Sequence, residues 1–267
     1  MLQLERSDKF STYEGKGNQM AVTPQDAATI MLIRNAPSRK GIEVLMVQRS
    51  TESDFCPGVY VFPGGALETA DYAQQIEEIC SGLTLEQAQR IIEDAPRPEK
   101  ALGLFVAAIR EVFEEVGIIL AYRDGSLITL NTEDERRFAA YRSQIHQGSL
   151  SFTDLIRQER LALATDQIFY FAHLITPPPS PIRFNTRFFV APAPQHQNPL
   201  HDALETIDCR WINPQEALEG YKRREFPVIL PTIRNLEALA GFPSVDTVIS
   251  SARSRKVTLG SLWPGTA

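Results

Sequence analysis

Apolar and polar positions divide the chain into several short runs and one long periodic segment. Residues 27–33 and 43–47 are brief apolar runs separated by the turn residues Asn35-Ala36-Pro37-Ser38, which predicts two neighbouring strands. Residues 59–62 read as a third strand that runs directly into Pro63-Gly64-Gly65, and 168–175, the alternating stretch 183–190, and 209–212 read as later strands. Between them, residues 71–100 read as an excursion outside the core in two helical pieces. The first piece covers 71–80; the second is opened by Thr84 with Gln87 in capping-box positions and closed near Pro96 and Pro98. Residues 101–120 give the strongest helix signal, free of proline, with apolar residues recurring at spacings of three and four. Further helices are expected near 133–146, 151–162, 214–220 and 227–240, with a turn at Asp124-Gly125. The loop 191–201, rich in proline, glutamine and histidine, is long enough for a binding role. Residues 1–22 read as a weakly ordered lead-in and 242–267 as a small, polar tail, which leaves one domain over 23–241.

Composition narrows the class. A chain of 267 residues with 43% hydrophobic content can bury a sizeable core, while a net charge of -6 gives no electrostatic footprint for nucleic acid. A small anionic substrate would need local cations or arginines. Cys56, Cys80 and Cys209 are odd in number and lie far apart without a metal-like spacing, so no disulfide framework or zinc site is expected and a reducing cytoplasm is the simplest location. No run approaches the roughly 18 to 20 apolar residues that span a bilayer, and the polar start differs from a signal peptide, so no membrane partner is expected. Oligomeric state is not visible in the pattern.

The candidate chemistry lies on the 101–120 segment. At about 100° per residue, Leu102, Phe105, Ile109, Val112, Phe113 and Val116 gather on one side and Glu111, Glu114 and Glu115 on the other. Those carboxylates fall within an arc of roughly 100°, close enough to share one or two divalent cations. The plain alternative is a solvated acidic face. Arg110, four residues before Glu114, can fix one carboxylate and leave the others for metal. Gly117 interrupts the pattern at a cost of about 1 kcal/mol relative to alanine, which predicts close approach of another backbone element.

Arg110-Glu111-Val112-Phe113-Glu114-Glu115-Val116-Gly117-Ile118 resembles the second half of the Nudix box. The first half is matched by Gly64-Gly65 after a strand and by Asp71, six residues beyond Gly65, where the family usually has glutamate. The departure is spacing, since 38 residues separate Asp71 from Arg110 where the usual box has a short gap. This long insertion, with Phe171-Ala172-His173-Leu174-Ile175-Thr176-Pro177 and Arg183-Phe184-Asn185-Thr186-Arg187-Phe188-Phe189, is similar to the Nudix branch that includes mammalian peroxisomal coenzyme A diphosphatases. Pro264-Gly265-Thr266-Ala267 lacks a peroxisomal address of the Ser-Lys-Leu kind, a departure from those enzymes.

The resemblance implies an α/β fold: an α/β/α sandwich around a mixed sheet, with a helical insertion at 72–100 and extra C-terminal helices. It also implies hydrolysis of a diphosphate linkage assisted by Mg²⁺ or Mn²⁺, with Glu111, Glu114, Glu115 and the Gly65 carbonyl as metal ligands. Coenzyme A or acyl-CoA is the leading small-molecule substrate, with ADP-ribose, NAD(H) and dinucleotide polyphosphates as rivals. A Nudix-fold nucleotide-binding module without catalysis is the alternative of another class. Arg110, Glu114 and Glu115 are catalytic candidates, and Glu205, beside His201 and Asp202, is a candidate base from a loop. Arg183 and Arg187, on one face of an alternating strand, are candidates for the substrate's phosphates, with surface ion pairing as the simpler alternative. His173, inside an apolar strand, reads as structural.

Overall fold

Strand β1 (Gln25–Asn35) has apolar side chains on both faces, so it can be satisfied only in the middle of a sandwich. Ala28, Ile30 and Leu32 enter one core while Met31 and Ile33 enter another. Around it the computed structural model, which describes residues 22–37, 41–53, 56–178, 180–202 and 205–254, builds an α/β/α sandwich. Most of the expected lead-in, and residues 255–267 with the C-terminal Pro264 to Ala267, lie outside the described residues.

Strand β2 (Ile42–Arg49) pairs antiparallel with the far end of β1, and farther along the same edge it receives β3 (Tyr60–Val61). Strand β4 (Gly64–Ala66) returns antiparallel to the near end of β1, setting Gly64 opposite Thr29 and Gly65 opposite Ala28. A Cβ on Gly64 would stand 2.6 Å from the Ala28 carbonyl oxygen, so only glycine lets the two backbones approach this closely.

The excursion differs from expectation in form and in role. Residues 71–80 contain no α-helix; two 3₁₀ turns, Thr69–Tyr72 and Ile76–Ile79, are split by Gln75 at φ +69°. The second turn superimposes residues three apart, which suits Ile76 and Ile79, both buried in the first core. After β5 (Cys80–Ser81), helix α1 (Leu85–Ile91) begins with the expected Thr84/Gln87 capping box. Ala88, Ile92 and Ala95 are buried, so the excursion supplies part of the core instead of lying outside it.

Helix α2 (Pro98–Val116) is buried along nearly its whole length and ends four residues before expectation. Gly117 adopts φ +72° as its left-handed C-cap. Space is not the constraint there, because a Cβ would meet only Arg142 Nη1, at 3.6 Å. Backbone conformation, and not the close approach expected from the sequence, selects this glycine.

Strands β6 (Ala121–Arg123) and β7 (Ser126–Leu127) form a hairpin whose tip, Asp124-Gly125, has φ +51° and +79°. Helices α3 (Thr132–His146) and α4 (Phe152–Gln158) follow, capped by Asn131 and Ser151. Strand β8 (Ala162–Ala164) joins β5, β6 and β7 in a small second sheet.

Strand β9 (Phe169–Ile175) pairs antiparallel with β10 (Phe184–Pro192), which lies parallel to β1. Strand β11 (Thr206–Ile212) closes the other side against β2, giving the order β11-β2-β1-β10-β9. Helices α5 (Pro214–Lys222), α6 (Leu230–Leu239) and α7 (Val245–Arg253) cover the second face. Helix α7 falls where the pattern gave only a tail; Val248 and Ala252 are buried against the sheet. Among the described residues no helix is long and apolar enough to cross a membrane.

Candidate active site

Buried charges persist only when paired, and Arg110 does the pairing in α2. Its side chain is 4% exposed. Nε and Nη2 donate to Asp71 Oδ1 and Oδ2 at 2.9 and 3.0 Å, Nη2 also to the Ala66 carbonyl at 2.9 Å. Nη1 donates to Glu111 Oε1 at 2.8 Å and to Glu114 Oε2 at 3.1 Å. The bidentate pair with Asp71 brings the two halves of the motif together, so a signature split by 38 residues in sequence is continuous in space.

Gly65 meets the same cluster from the sheet. A Cβ there would fall 2.6 Å from Glu111 Cδ, so the missing side chain is the space the carboxylate fills. Glu115 is buried, and its Oε2 has no hydrogen-bond partner among the described residues.

Burial pushes the Glu111 carboxyl up to about 7 despite the opposing Arg110 charge, with Glu114 and Asp71 adding repulsion. Burial likewise raises Glu114 against Arg110, and raises Glu115 well above the ordinary carboxylate range, with Glu111 and Glu205 reinforcing it. Arg110, with Arg49 acting on Glu115, does not balance these acids as anions.

In this arrangement Glu111 and Glu114 turn toward Arg110, and among the described residues no three acidic, histidine or cysteine side chains already form a cation cage. The donor chemistry nevertheless fits a hard divalent ion. Every donor is an oxygen, one buried carboxylate oxygen lacks a partner, and Gly65 leaves its backbone open beside Glu111.

These groups line one cavity of about 470 Å³. Its acidic lining is Glu111, Glu114 and Glu115 with Glu68, Asp202 and Glu205, and its apolar lining includes Val61, Phe62, Phe184, Phe188 and Ile229. The structure therefore gathers Gly65, Arg110, the three helix glutamates and Glu205 around one space.

It does not bring Arg183 or Arg187 there. Strand β10 turns Phe184, Thr186 and Phe188 toward the cavity, whereas Arg187 is buried on the opposite face. There it donates to Asp94 Oδ2 at 2.5 Å and to Asn185 Oδ1 at 2.6 Å, holding the insertion to the sheet. Arg183 donates to the carbonyls of Thr176 and Val22 at 2.8 and 2.6 Å. The two-residue alternation places both arginines on one face, and the ion pair of Arg187 with Asp94 of the insertion makes it the face away from the cavity. His173 stands 2.6 Å from Asn185 Oδ1, in keeping with its structural reading. In the loop 191–201, Gln197 accepts from Ile119 N and donates to the Ile119 and Ile128 carbonyls, so its side chain serves as an anchor.

Sequence reasoning missed Glu68, Arg142 and His146. Arg142 Nε donates to the Glu114 carbonyl at 2.7 Å, and His146 Nε2 lies 3.1 Å from the same oxygen. The available signal was slight: a histidine and an arginine four apart on a helix that is otherwise polar.

The sandwich and its glycine-flanked acidic helix define a Nudix fold. Residues 24–239 match the NUDT19 Nudix domain, and the chain belongs to that family. The acyl-coenzyme A diphosphatase NUDT19 of Xenopus laevis is 25% identical over 232 residues, 76% of this chain and 61% of that protein. Its counterpart in Gallus gallus is 26% identical over 288 residues, 90% of this chain and 74% of that protein. Against the Xenopus protein, then, the chain spans less than two thirds of the relative's length. A crystal structure of a Nudix hydrolase from Alicyclobacillus acidocaldarius superimposes with a TM-score of 0.71 at 27% identity, covering 87% of this chain and 97% of that one.

Proposed function

We propose that this protein hydrolyses the diphosphate linkage of a nucleotide derivative, with coenzyme A or an acyl-CoA as leading substrate. The observation that carries the reading is the convergence of Glu111, Glu114, Glu115, Gly65 and Arg110 on one 470 Å³ cavity. The acyl-coenzyme A diphosphatase names of the relatives support the choice of substrate. A reducing cytoplasm suits the three unpaired cysteines.

Glu111, Glu114, Glu115 and the Gly65 carbonyl would hold Mg²⁺ or Mn²⁺. When bound, such an ion neutralises charge on the diphosphate and lowers the pKa of a coordinated water. Arg110 holds Glu111 and Glu114 by hydrogen bonds beside the cavity and ties the insertion to the site through Asp71. Glu205, which lines the same cavity near Glu115, takes a proton from the attacking water, with Glu114 and Glu115 as the alternative bases. The apolar wall at Phe62, Phe184 and Phe188 seats the uncharged part of the substrate and limits water.

Hydrolysis of CoA, acyl-CoA, ADP-ribose, NADH and diadenosine polyphosphates in Mn²⁺, with products weighed by mass spectrometry, tests the reading. Glu114→Gln should lower turnover at least about 100-fold while the melting temperature stays near that of the parent. Ligand binding without turnover on the whole panel would assign the chain to the binding-module class instead.

A further inference from the structure

The last carbonyls of an α-helix have no partner within the helix. In α2 these are the carbonyls of the residues that carry the chemistry, and outside groups satisfy them. Arg142 Nε reaches the Glu114 oxygen at 2.7 Å, Leu200 N reaches the Val116 oxygen at 2.9 Å, and the Thr206 hydroxyl approaches the Glu115 oxygen at 3.5 Å. Arg142 also donates from Nη1 to the Leu200 carbonyl at 2.7 Å, so one guanidinium bridges the end of α2 and the loop that leads to β11.

From Leu200 the bridge continues to Glu205. Asp202 Oδ1 accepts from Thr206 N and Thr206 Oγ1, both at 2.9 Å, and from Glu205 N at 3.2 Å, which ties the backbone of Glu205 and Thr206 to Asp202. The Glu205 carbonyl in turn accepts from Ser50 N at 2.8 Å. We propose that Arg142 is a positioning residue that sets where Glu205 stands relative to Glu114 and Glu115. The inference rests on the reading that Glu205 serves the hydrolytic reaction.

Arginine is suited to this place and lysine is not. Two carbonyls in different directions need a forked, planar donor, and a fixed positive charge suits the negative end of a helix. Arg142 is 8% exposed, and its Nη2 has no hydrogen-bond partner among the described residues. Nε and Nη1 alone make the bridge, and neither is spent on solvent.

A double-mutant cycle tests it, with Arg142→Met, Glu205→Gln and the pair assayed on CoA in Mn²⁺. Acting through Glu205, Arg142→Met should lower kcat about 100-fold with KM within about twofold, and the double variant should lose no more than Glu205→Gln alone. Amide exchange at Glu205 and Thr206 should quicken in Arg142→Met, while binding of Mn²⁺ alone, followed by electron paramagnetic resonance, stays unchanged. Losses that multiply in the double variant, or unchanged exchange at those amides, overturn the proposal. If Arg142→Met does not fold, Arg142→Lys carries the same cycle, because an ammonium cannot serve both carbonyls. A parent protein inactive on the whole substrate panel sinks the hydrolase reading, and the exchange measurement then decides the bridge by itself.

Discussion

An added methyl group at Gly65 would sit 2.6 Å from Glu111 Cδ and 2.7 Å from Glu111 Oε2, on a carboxylate that Arg110 already holds. Gly65→Ala should therefore displace Glu111 and leave the sheet intact, because the glycine lies in ordinary extended backbone. We expect turnover to fall about 100-fold with little change in melting temperature, measured by steady-state hydrolysis and differential scanning fluorimetry. At this scale the sequence was informative wherever chemistry concentrates several identities in a short span, as in Arg110, Glu111, Glu114 and Glu115. It was silent on Arg142, because a bond from a side chain to a distant carbonyl leaves no pattern of residue types. It misled on Arg183 and Arg187, since alternation shows that two residues share a face but not which side of the sheet holds the cavity.

The insertion shows how elements are joined to the site. Asp71 is 1% exposed and forms the bidentate pair with Arg110, so Asp71→Ala leaves a buried guanidinium short of its best partner. A loss of about 3 kcal/mol is expected by urea unfolding. Thr84 and Gln87 were legible as the start of α1 because a capping box is a local device. The two 3₁₀ turns before it were not, because the first is held by Asp71 on Arg110 and the second by Ile76 and Ile79 in the core with α2, both tertiary constraints. A second network joins α3 to the end of α4. Burial alone would raise the Glu159 carboxyl, but bonds from Arg137 and Tyr141 and the charge of Arg123 outweigh it and hold it below 4.5. A carboxyl with a lowered folded-state value stabilises above pH 4.5 and loses that contribution as pH falls through the folded value. The stability gap between the parent and Glu159→Gln should thus be open at pH 6 and narrow as the pH falls below 4.5, which acid titration followed by circular dichroism would show.

Across the whole molecule, two cores share one sheet, and the strands that divide them were readable because β1 and β2 are apolar on both sides. Helix α7 was not, because Val248 and Ala252 are too few to stand out among Ser244, Asp246, Thr247 and Ser250. It is nonetheless fastened to the far end of β1, with Val245 N donating to Asn35 Oδ1 at 2.9 Å. Val248 is fully buried, so Val248→Ala should cost about 2 kcal/mol, read as a thermal midpoint roughly 4–8 °C lower. The β6–β7 tip lies outside all of these dependencies. Asp124 and Gly125 are exposed, no foreign atom comes within 4 Å of a Cβ placed on Gly125, and neither residue lines the cavity of the candidate site. A fluorophore or a solid support attached through this point should leave substrate turnover undisturbed, which makes it the natural handle for single-molecule or immobilised work.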